Sequence, residues 1–326
     1  MRLFGSIVPV GLGAGLLGAT LLIPGLANEP RDDVETPAEF AVPVHIPGRT
    51  DVEGGFDLRG GLDATPPMAV HERAGAGSDA SRAFALPAAQ VPPTPGYSFY
   101  FTRAVYSGRG SGWRGGSGSW RTDFPEAEFY FTQLLGRLID IDVFTERGGR
   151  NPIALNDPNL RRYPFLYVVE PGGMRLTEPE VRGLRSYLEA GGFMMMDDFW
   201  GVRETANVED QLAQVLPGRP IVEIPLDHPI FNSVYDIEEI RQVPNVRNGR
   251  DVAAGWVGAR TDEGDNSEVP YVRGIFDDEG RLMVIINQNT DLGDAWEWAE
   301  DPWYPLDFST YATEVGINTV VYAMSH

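Results

Sequence analysis

The apolar run Phe193–Met196 constrains the fold more than any other segment, because of the residues on either side of it. Gly191 and Gly192 precede the run, and the adjacent acids Asp197 and Asp198 follow it. A short apolar run bounded by turn residues predicts a buried strand. Two acids at the end of such a strand predict either a turn that leaves the sheet or the floor of a binding site.

Helix patterns alternate with strand patterns before this run. One helix pattern spans 123–140 with Asp123 as its N-cap, and a second spans 176–190 with Thr177 as its N-cap. Near-continuous apolar strands separated by helices predict an α/β domain with a doubly wound, mostly parallel sheet covered on both faces. The strand patterns lie at 97–106, 141–144 and 164–170.

The last third of the chain predicts an antiparallel addition to the sheet. Residues 269–291 contain two strand patterns that flank the turn sequence Asp-Asp-Glu-Gly at 277–280, which predicts a hairpin. The other predicted elements are a short helix at 208–217, a short strand at 219–225 and a closing helix at 308–326 capped by Ser309 or Thr310.

The chain divides into three parts by composition. Residues 1–27 carry one arginine, an apolar run and small residues before Ala27, which predicts a cleaved signal peptide or, alternatively, a membrane anchor through residues 3–26. Residues 28–95 are rich in Pro, Gly and Ala and predict a largely disordered linker. Residues 96–326 predict one α/β domain. The expected location is therefore periplasmic or extracellular, or on the membrane.

Charge and cysteine content exclude several classes of function. The net charge is −21, which argues against nucleic-acid binding and limits membrane contact to the N-terminal segment. The chain has no cysteine, so disulfides, thiolate metal sites and a cysteine nucleophile are excluded. The small-molecule or protein partner is unknown from the sequence, and so is any cofactor.

Several motifs in order resemble the bacterial domain of unknown function DUF4159. They include FTRAVY, YPFLYVVEPG, LTEPEVRGLRSYLEAGGFMMMDDFWG, LDHPIFNSVY and YATEVGINTVVYAMS, and together they cover roughly 96–326. DUF4159 is similar in turn to the class I glutamine amidotransferase-like superfamily and its ThuA-like members. The resemblance implies a flavodoxin-like sheet, with the turn after Met196 where relatives present a nucleophile. No biochemical activity follows from it.

Ligands of open α/β sheets bind beyond the carboxyl ends of the strands, and this rule selects the candidate site. Asp197 and Asp198 follow one strand, and Glu170 follows another. Whether these residues converge is open from sequence. The ligand-binding candidates are Arg103, Tyr106, Trp120, Asp123, Glu170, Asp197, Phe199, Trp200, Asn289 and Asp291, with Asp294 nearby.

Asp198 and His228 are the candidates for catalysis. Asp198 suits a nucleophile, a general base or a metal ligand, and His228 suits acid–base work. In the structural alternative, Asp197 caps the next turn, Asp198 pairs with an arginine such as Arg103, and His228 fixes a turn. The spacing matches no recognised metal motif, so no metal ligand is predicted.

Two further segments allow a binding role. The glycine-rich loop 107–120 carries Arg109 and Arg114, which suit an anion, although a solvated loop is the stronger interpretation. The aromatics Trp296, Trp298, Trp303 and Tyr304 suit either a stacking platform or loop packing. The leading expectation is a non-catalytic ligand- or partner-binding module at the cell envelope. The alternative is a ThuA-like carbohydrate-active or hydrolase-type enzyme that uses Asp198 and His228.

Overall fold

A computed structural model describes residues 97–108 and 120–326. The predicted signal or anchor segment 1–27, the predicted linker 28–95 and loop residues 109–119 lie outside the described residues. Among the residues that are described, no helix has both the length and the apolar character needed to cross a membrane.

A seven-stranded sheet forms the centre of the domain, with the strand order β2-β1-β3-β4-β7-β6-β5. The first five strands in this order are mutually parallel, whereas β6 is antiparallel to both β7 and β5. The predicted α/β class and mostly parallel sheet are therefore confirmed. The strands are β1 (Thr102–Val105), β2 (Asn151–Ala154), β3 (Phe165–Val169), β4 (Phe193–Asp197), β5 (Val222–Glu223), β6 (Tyr271–Phe276) and β7 (Leu282–Gln288).

Six α-helices accompany the strands in the described ranges, and they cover both faces of the sheet. One core packs α1, α5 and α6 against one face, and the other packs α2 and α3 against the opposite face. Side chains of β3 alternate between the two cores, with Tyr167 on one face and Val168 on the other. The helices are α1 (Glu126–Leu138), α2 (Glu178–Glu189), α3 (Gly201–Val215), α4 (Val246–Ala253), α5 (Leu292–Glu297) and α6 (Leu306–Ser325).

The unit β3–α2–β4 follows directly from its sequence. Thr177 and Glu180 form a reciprocal capping box at the start of α2, which satisfies backbone N–H groups that the helix leaves unpaired. Gly191, with φ of 100°, lets the chain leave the helix and enter β4. Both β3 and β4 are buried along their whole length, as the apolar runs predict. This unit places Asp197 and Asp198 at the carboxyl end of a central strand.

The predicted hairpin is confirmed as β6 and β7, whose residues pair from Tyr271–Gln288 to Phe276–Leu282. Because β7 is parallel to β4, its last residue, Gln288, lies at the same end of the strands as Asp197. The turn of the hairpin lies at the other end of the strands.

Other element boundaries differ from the predictions. The segment 141–144 is no strand, since only Val143 forms a bridge, to Phe99. The edge strand β2 was not predicted, because it contains Pro152, which has no N–H to donate and is confined in sheets to edge strands, strand starts and bulges. Helix α1 begins at Glu126, without Asp123 as its N-cap. Helix α6 begins at Leu306, before the predicted caps. Helices α4 and α5 were also not predicted.

Candidate functional site

Three neighbouring parallel strands end in polar residues with a left-handed backbone. Glu170 follows β3 with φ of 44°, Asp198 follows β4 with φ of 56°, and Asn289 follows β7 with φ of 58°. Such angles are uncommon in residues other than glycine, and they cluster at functional sites. The three turns lie together at the end of the sheet where the parallel strands finish, which we call the carboxyl edge. The rule for open α/β sheets places a ligand there.

Helix α5 brings three acids to this edge. Asp291 is the N-cap of the helix, and its Oδ1 accepts a hydrogen bond of 2.8 Å from the backbone N–H of Asp294. Glu297 follows three residues later. Acids spaced by three residues share one side of a helix, so all three carboxyl groups extend along one side of this short element.

Asp123 reaches the same edge from the chain that enters α1. The buried Arg103 on β1 donates from Nη1 to the carbonyl of Thr122 at 2.7 Å and to that of Trp120 at 3.2 Å. Its Nε donates to Glu128 of α1. Arg103 therefore holds the chain next to Asp123, whose φ is 61°, and its charge is matched by Glu128. The sequence predicted that Arg103 contacts a ligand or, alternatively, pairs with Asp198. In the structure Arg103 is buried and pairs with Glu128.

Five carboxyl groups converge at the carboxyl edge, and we call them the acidic cluster. One oxygen each from Asp123, Asp198 and Asp291 lies within 4.8 Å of the others, and the same holds for Asp123, Asp294 and Glu297. Asp123 belongs to both sets. No member forms a salt bridge with an arginine within residues 97–108 and 120–326.

Asp197 lies beside the cluster and is fully buried. Its Oδ2 accepts hydrogen bonds from Tyr167 Oη at 3.0 Å and from the backbone N–H groups of Leu292 and Gly293 at 2.8 and 3.0 Å. Asp197 therefore anchors the start of α5. Its Oδ1 has no hydrogen-bond partner among the described residues.

Burial and mutual repulsion raise the pKa values of the cluster. Burial is the main cause for Asp123, Asp198 and Asp291, whose pKa values lie well above the usual range for aspartate, and neighbouring acids add to the effect. Burial, with the charge of Asp294, raises the pKa of Glu297 to about 8. Burial also raises the pKa of Asp197 to about 7, although its hydrogen bonds act in the opposite direction.

The remaining predicted site residues have mainly structural contacts. Tyr106 Oη lies within 2.8 and 3.0 Å of the carbonyl oxygens of Val169 and Glu170. The indole Nε1 of Trp200 donates to Asp198 Oδ1 at 2.8 Å. Phe199 is buried in the core, and Asn289 joins Gly201 to Val269 through its side chain. Trp120 is half-buried and packs edge-on against Phe124.

His228 and Asp198 lie at opposite ends of strand β7: His228 near its first residue and Asp198 beyond its last. Its ring contacts Phe276 and Tyr322, and Phe276 pairs with Leu282 at the first residue of β7. Asp198, in contrast, bonds through its N–H to Thr290, beyond the last residue of β7. His228 Nδ1 accepts from the Ile230 N–H at 3.2 Å, which fixes a turn. The structure therefore separates the two residues proposed for catalysis by the length of a seven-residue strand.

The other two predicted binding segments are the glycine-rich loop 107–120 and the aromatics between Trp296 and Tyr304. Arg109 and Arg114 of the glycine-rich loop lie outside the described residues. Trp296 within α5 and Tyr304 in the loop after it are buried, Trp298 is half-buried, and Trp303 is exposed. Most of this group packs the loop onto the domain.

The acidic cluster has the chemistry to hold a positively charged group. Carboxylate oxygens are hard ligands of the kind that Ca²⁺, Mg²⁺ and Mn²⁺ prefer. Asp123 and Glu297 are partly exposed, which leaves solvent access to the otherwise buried group. The cluster presents no histidine and no cysteine, so it resembles no zinc site.

Sequence reasoning missed two contributors to this arrangement, Glu297 and Tyr167. The signal for Glu297 was present, because Asp291, Asp294 and Glu297 follow one another at intervals of three residues. Tyr167 gave no signal, because it lies inside an apolar strand and only the fold brings its hydroxyl to Asp197.

The fold and the site define an α/β domain whose acidic side chains converge at the carboxyl edge of a mostly parallel sheet. Over residues 105–324 the chain matches DUF4159, a family described as a domain of unknown function. The chain therefore belongs to the DUF4159 family. No curated protein matches the chain significantly.

Proposed function

We propose that this domain is a non-catalytic binding module at the cell envelope, and that its ligand is positively charged. One observation carries the proposal: five carboxyl groups from β4, α5 and the entry to α1 converge without an arginine partner in the described parts of the chain. Buried like charges repel one another and are costly to desolvate. A cation bound between them offsets both costs.

The geometry favours binding over the enzymatic alternative. A hydrolase-type mechanism with Asp198 and His228 needs the two side chains within about 3 Å of each other or of one substrate atom. They lie at opposite ends of strand β7, and His228 Nδ1 accepts a hydrogen bond from the Ile230 N–H.

The proposal includes membership of the class I glutamine amidotransferase-like superfamily. Two features support it: the five parallel strands follow an order typical of flavodoxin-like sheets, and Asp198 stands on a left-handed turn between β4 and α3. In that superfamily the corresponding turn presents a nucleophile. Here it would present a carboxyl group to the ligand.

A thermal-shift panel on the full-length protein tests the charge of the ligand. CaCl₂, MgCl₂, MnCl₂ and spermidine serve as cationic probes, trehalose as a neutral probe and ATP as an anionic probe. A ligand at a hundred times its dissociation constant stabilises the native state by about 2.7 kcal/mol. We expect a rise in melting temperature with at least one cationic probe and none with trehalose or ATP.

Matched variants separate specific binding from screening of the acidic surface, since any salt affects a chain with a net charge of −21. The panel is run at equal ionic strength with NaCl. Asp291→Asn should reduce the shift, whereas Glu223→Gln, which removes an exposed acid on β5, should preserve it in full. The proposal fails if the cations produce no shift, or if the shift is the same in both variants.

The envelope location rests on the N-terminal sequence pattern. Cell fractionation of the native organism tests it: the proposal expects the chain in the periplasmic, extracellular or membrane fraction. Recovery in the cytoplasmic fraction alone would refute this part and leave the binding proposal standing.

A further inference from the structure

The geometry points to a pair of hard divalent cations as the ligand, bound side by side with Asp123 as their shared carboxylate. This inference rests on the proposed function and makes it specific. Asp198 and Asp291 complete the first position, and Asp294 and Glu297 complete the second.

The oxygen spacing fits ions of this class. In each position the three carboxylate oxygens lie within 4.8 Å of one another. Ligand oxygens stand about 2.3–2.6 Å from Ca²⁺ and about 2.0–2.1 Å from Mg²⁺, so oxygens on opposite sides of one ion are about 4.6–5.2 Å or about 4.0–4.2 Å apart. The limit of 4.8 Å is thus close to the span of one such ion. Water and backbone carbonyls ordinarily complete the coordination of such ions.

Asp123 is the shared ligand because it is the member common to both positions. Its two carboxylate oxygens allow it to contact one ion with each, as bridging carboxylates do in paired metal sites whose ions are about 3.5–4 Å apart. Arg103 donates a hydrogen bond to the carbonyl of Thr122, the residue before Asp123, and so fixes the backbone there. The side chain is thereby directed towards α5, where its Oδ2 abuts Gly293 so closely that a Cβ on this glycine would collide with it.

Oxygens without partners give independent support for a ligand. Asp123 Oδ2 is buried at the start of α5, yet it has no hydrogen-bond partner among the described residues. The same is true of Oδ1 of Asp197, a residue with no exposed surface, whose Oδ2 bonds to the N–H of the same Gly293. Buried carboxylate oxygens are rarely left unsatisfied, and a bound ion is one established explanation.

The carboxylate-only composition selects the class of ion. Sites made of carboxylate, carbonyl and water oxygens suit Mg²⁺, Ca²⁺ and Mn²⁺, whereas Zn²⁺ and Cu²⁺ sites use histidine or cysteine. The negative charge of several acids also favours two dications over a single monovalent ion. A monoamine offers one charge at one point, which would leave one of the two positions unfilled.

The test is Mn²⁺ binding to the full-length protein, first freed of metal by chelation. Equilibrium dialysis against MnCl₂ gives the stoichiometry, and electron paramagnetic resonance reports whether two bound ions are coupled. We expect two Mn²⁺ per chain and a spectrum broadened by coupling between neighbouring ions.

Four variants assign the ions to residues. Asp123→Asn should lose both ions, Asp291→Asn and Glu297→Gln should each lose one, and the uncoupled spectrum of a single Mn²⁺ should appear in the latter two. Glu223→Gln is the control and should keep both. Circular dichroism shows whether each variant folds. If Asp123→Asn does not fold, the two single-loss variants carry the test.

Three outcomes would overturn the inference, and they separate it from the proposed function. One Mn²⁺ per chain, with loss in Asp291→Asn, would leave a cation-binding module without a paired site. Binding of spermidine but not of any dication would likewise spare the proposed function. Two ions unaffected by both Asp291→Asn and Glu297→Gln would place them elsewhere on the acidic surface.

Discussion

Two groups of acids in this domain are treated in opposite ways by the surrounding structure. In the paired group, Glu128 meets Arg103, and Asp277 meets Arg281 at 3.0 Å. In the acidic cluster at the carboxyl edge, Asp123 and Asp291 lie beside other acids and form no salt bridge with an arginine of the described residues. The paired acids neutralise arginines that are wholly or partly buried. The clustered acids neutralise nothing within the described chain.

The two groups are expected to have opposite effects on the stability of the folded domain. A buried acid with an arginine partner is tolerated because attraction offsets the cost of removing two charges from water. Several buried acids without a partner must take up protons or a cation. The paired group is therefore expected to support folding, and the clustered group is expected to lower stability until a ligand arrives.

Replacement of Arg103 should have the largest effect on stability. Arg103→Met leaves Glu128 buried without its partner, and breaking such a pair costs about 3–5 kcal/mol. Urea denaturation measures the free energy of unfolding. The double variant Arg103→Met with Glu128→Leu should recover part of the loss, because it removes both charges. A loss below about 1 kcal/mol, typical of exposed ion pairs, would contradict the assignment of this pair as buried and structural.

Removal of the charge at Asp197 should flatten the pH dependence of stability in metal-free buffer. Burial raises the pKa of Asp197 from 3.8 to about 7, so the folded chain keeps a proton that the unfolded chain has released. Unfolding then releases a proton, and stability falls as the pH rises from about 4 to about 7, by at most about 1.4 kcal/mol per pH unit for this group.

The variant Asp197→Asn tests this sign. Asparagine presents a carbonyl oxygen to Tyr167, Leu292 and Gly293 but no charge. We expect the fall in the free energy of unfolding between pH 4 and pH 7 to be smaller in the variant than in the natural chain when EDTA is present. An equal or steeper fall would show that Asp197 is ionised throughout this range.

Replacement of His228 should cost stability without changing ligand binding. His228→Ala removes the hydrogen bond to the Ile230 N–H and the ring contacts with Phe276 and Tyr322, and loss of a cap costs about 1 kcal/mol. Chemical denaturation measures this loss, and Mn²⁺ dialysis should give the same stoichiometry as the natural chain. Loss of Mn²⁺ binding in a folded variant would revive a functional role for His228.

An exposed paired acid should give the smallest effect. Asp278 bonds to Arg219 at 3.1 Å, but its side chain is 84% exposed, and such pairs contribute about 0.2–1 kcal/mol. Asp278→Asn should therefore change the free energy of unfolding by less than any variant above and should leave Mn²⁺ binding unchanged. A loss comparable with that of Arg103→Met would mean that exposure does not separate the two kinds of pair.

Much of the sheet could be predicted from the sequence because its signals are local. The cap at Thr177, the stop at Gly191 and the apolar runs of β3 and β4 depend only on neighbouring residues. The edge strand β2 could not be predicted, because it is short, contains Pro152 and is a strand only by virtue of pairing with β1. The one-residue bridge at Val143 depends in the same way on its partner.

The candidate site was predictable in position but not in chemistry. The rule for open α/β sheets selected Asp197, Asp198 and Asp291 as candidates, and the structure brings these three residues close together where the parallel strands end. The roles of Arg103 and His228 depend on contacts between distant segments, with α1 in one case and α6 in the other. Such contacts leave no periodic signal in the chain.

A crystal structure of the full-length protein grown with MnCl₂ tests the central claim most directly, since anomalous scattering locates the ions without assumption. The account predicts two neighbouring anomalous peaks at the carboxyl edge, both contacted by Asp123, with no Mn²⁺ at the paired acids Glu128 and Asp277. An acidic cluster without any peak, in crystals that bind Mn²⁺ elsewhere, would contradict it.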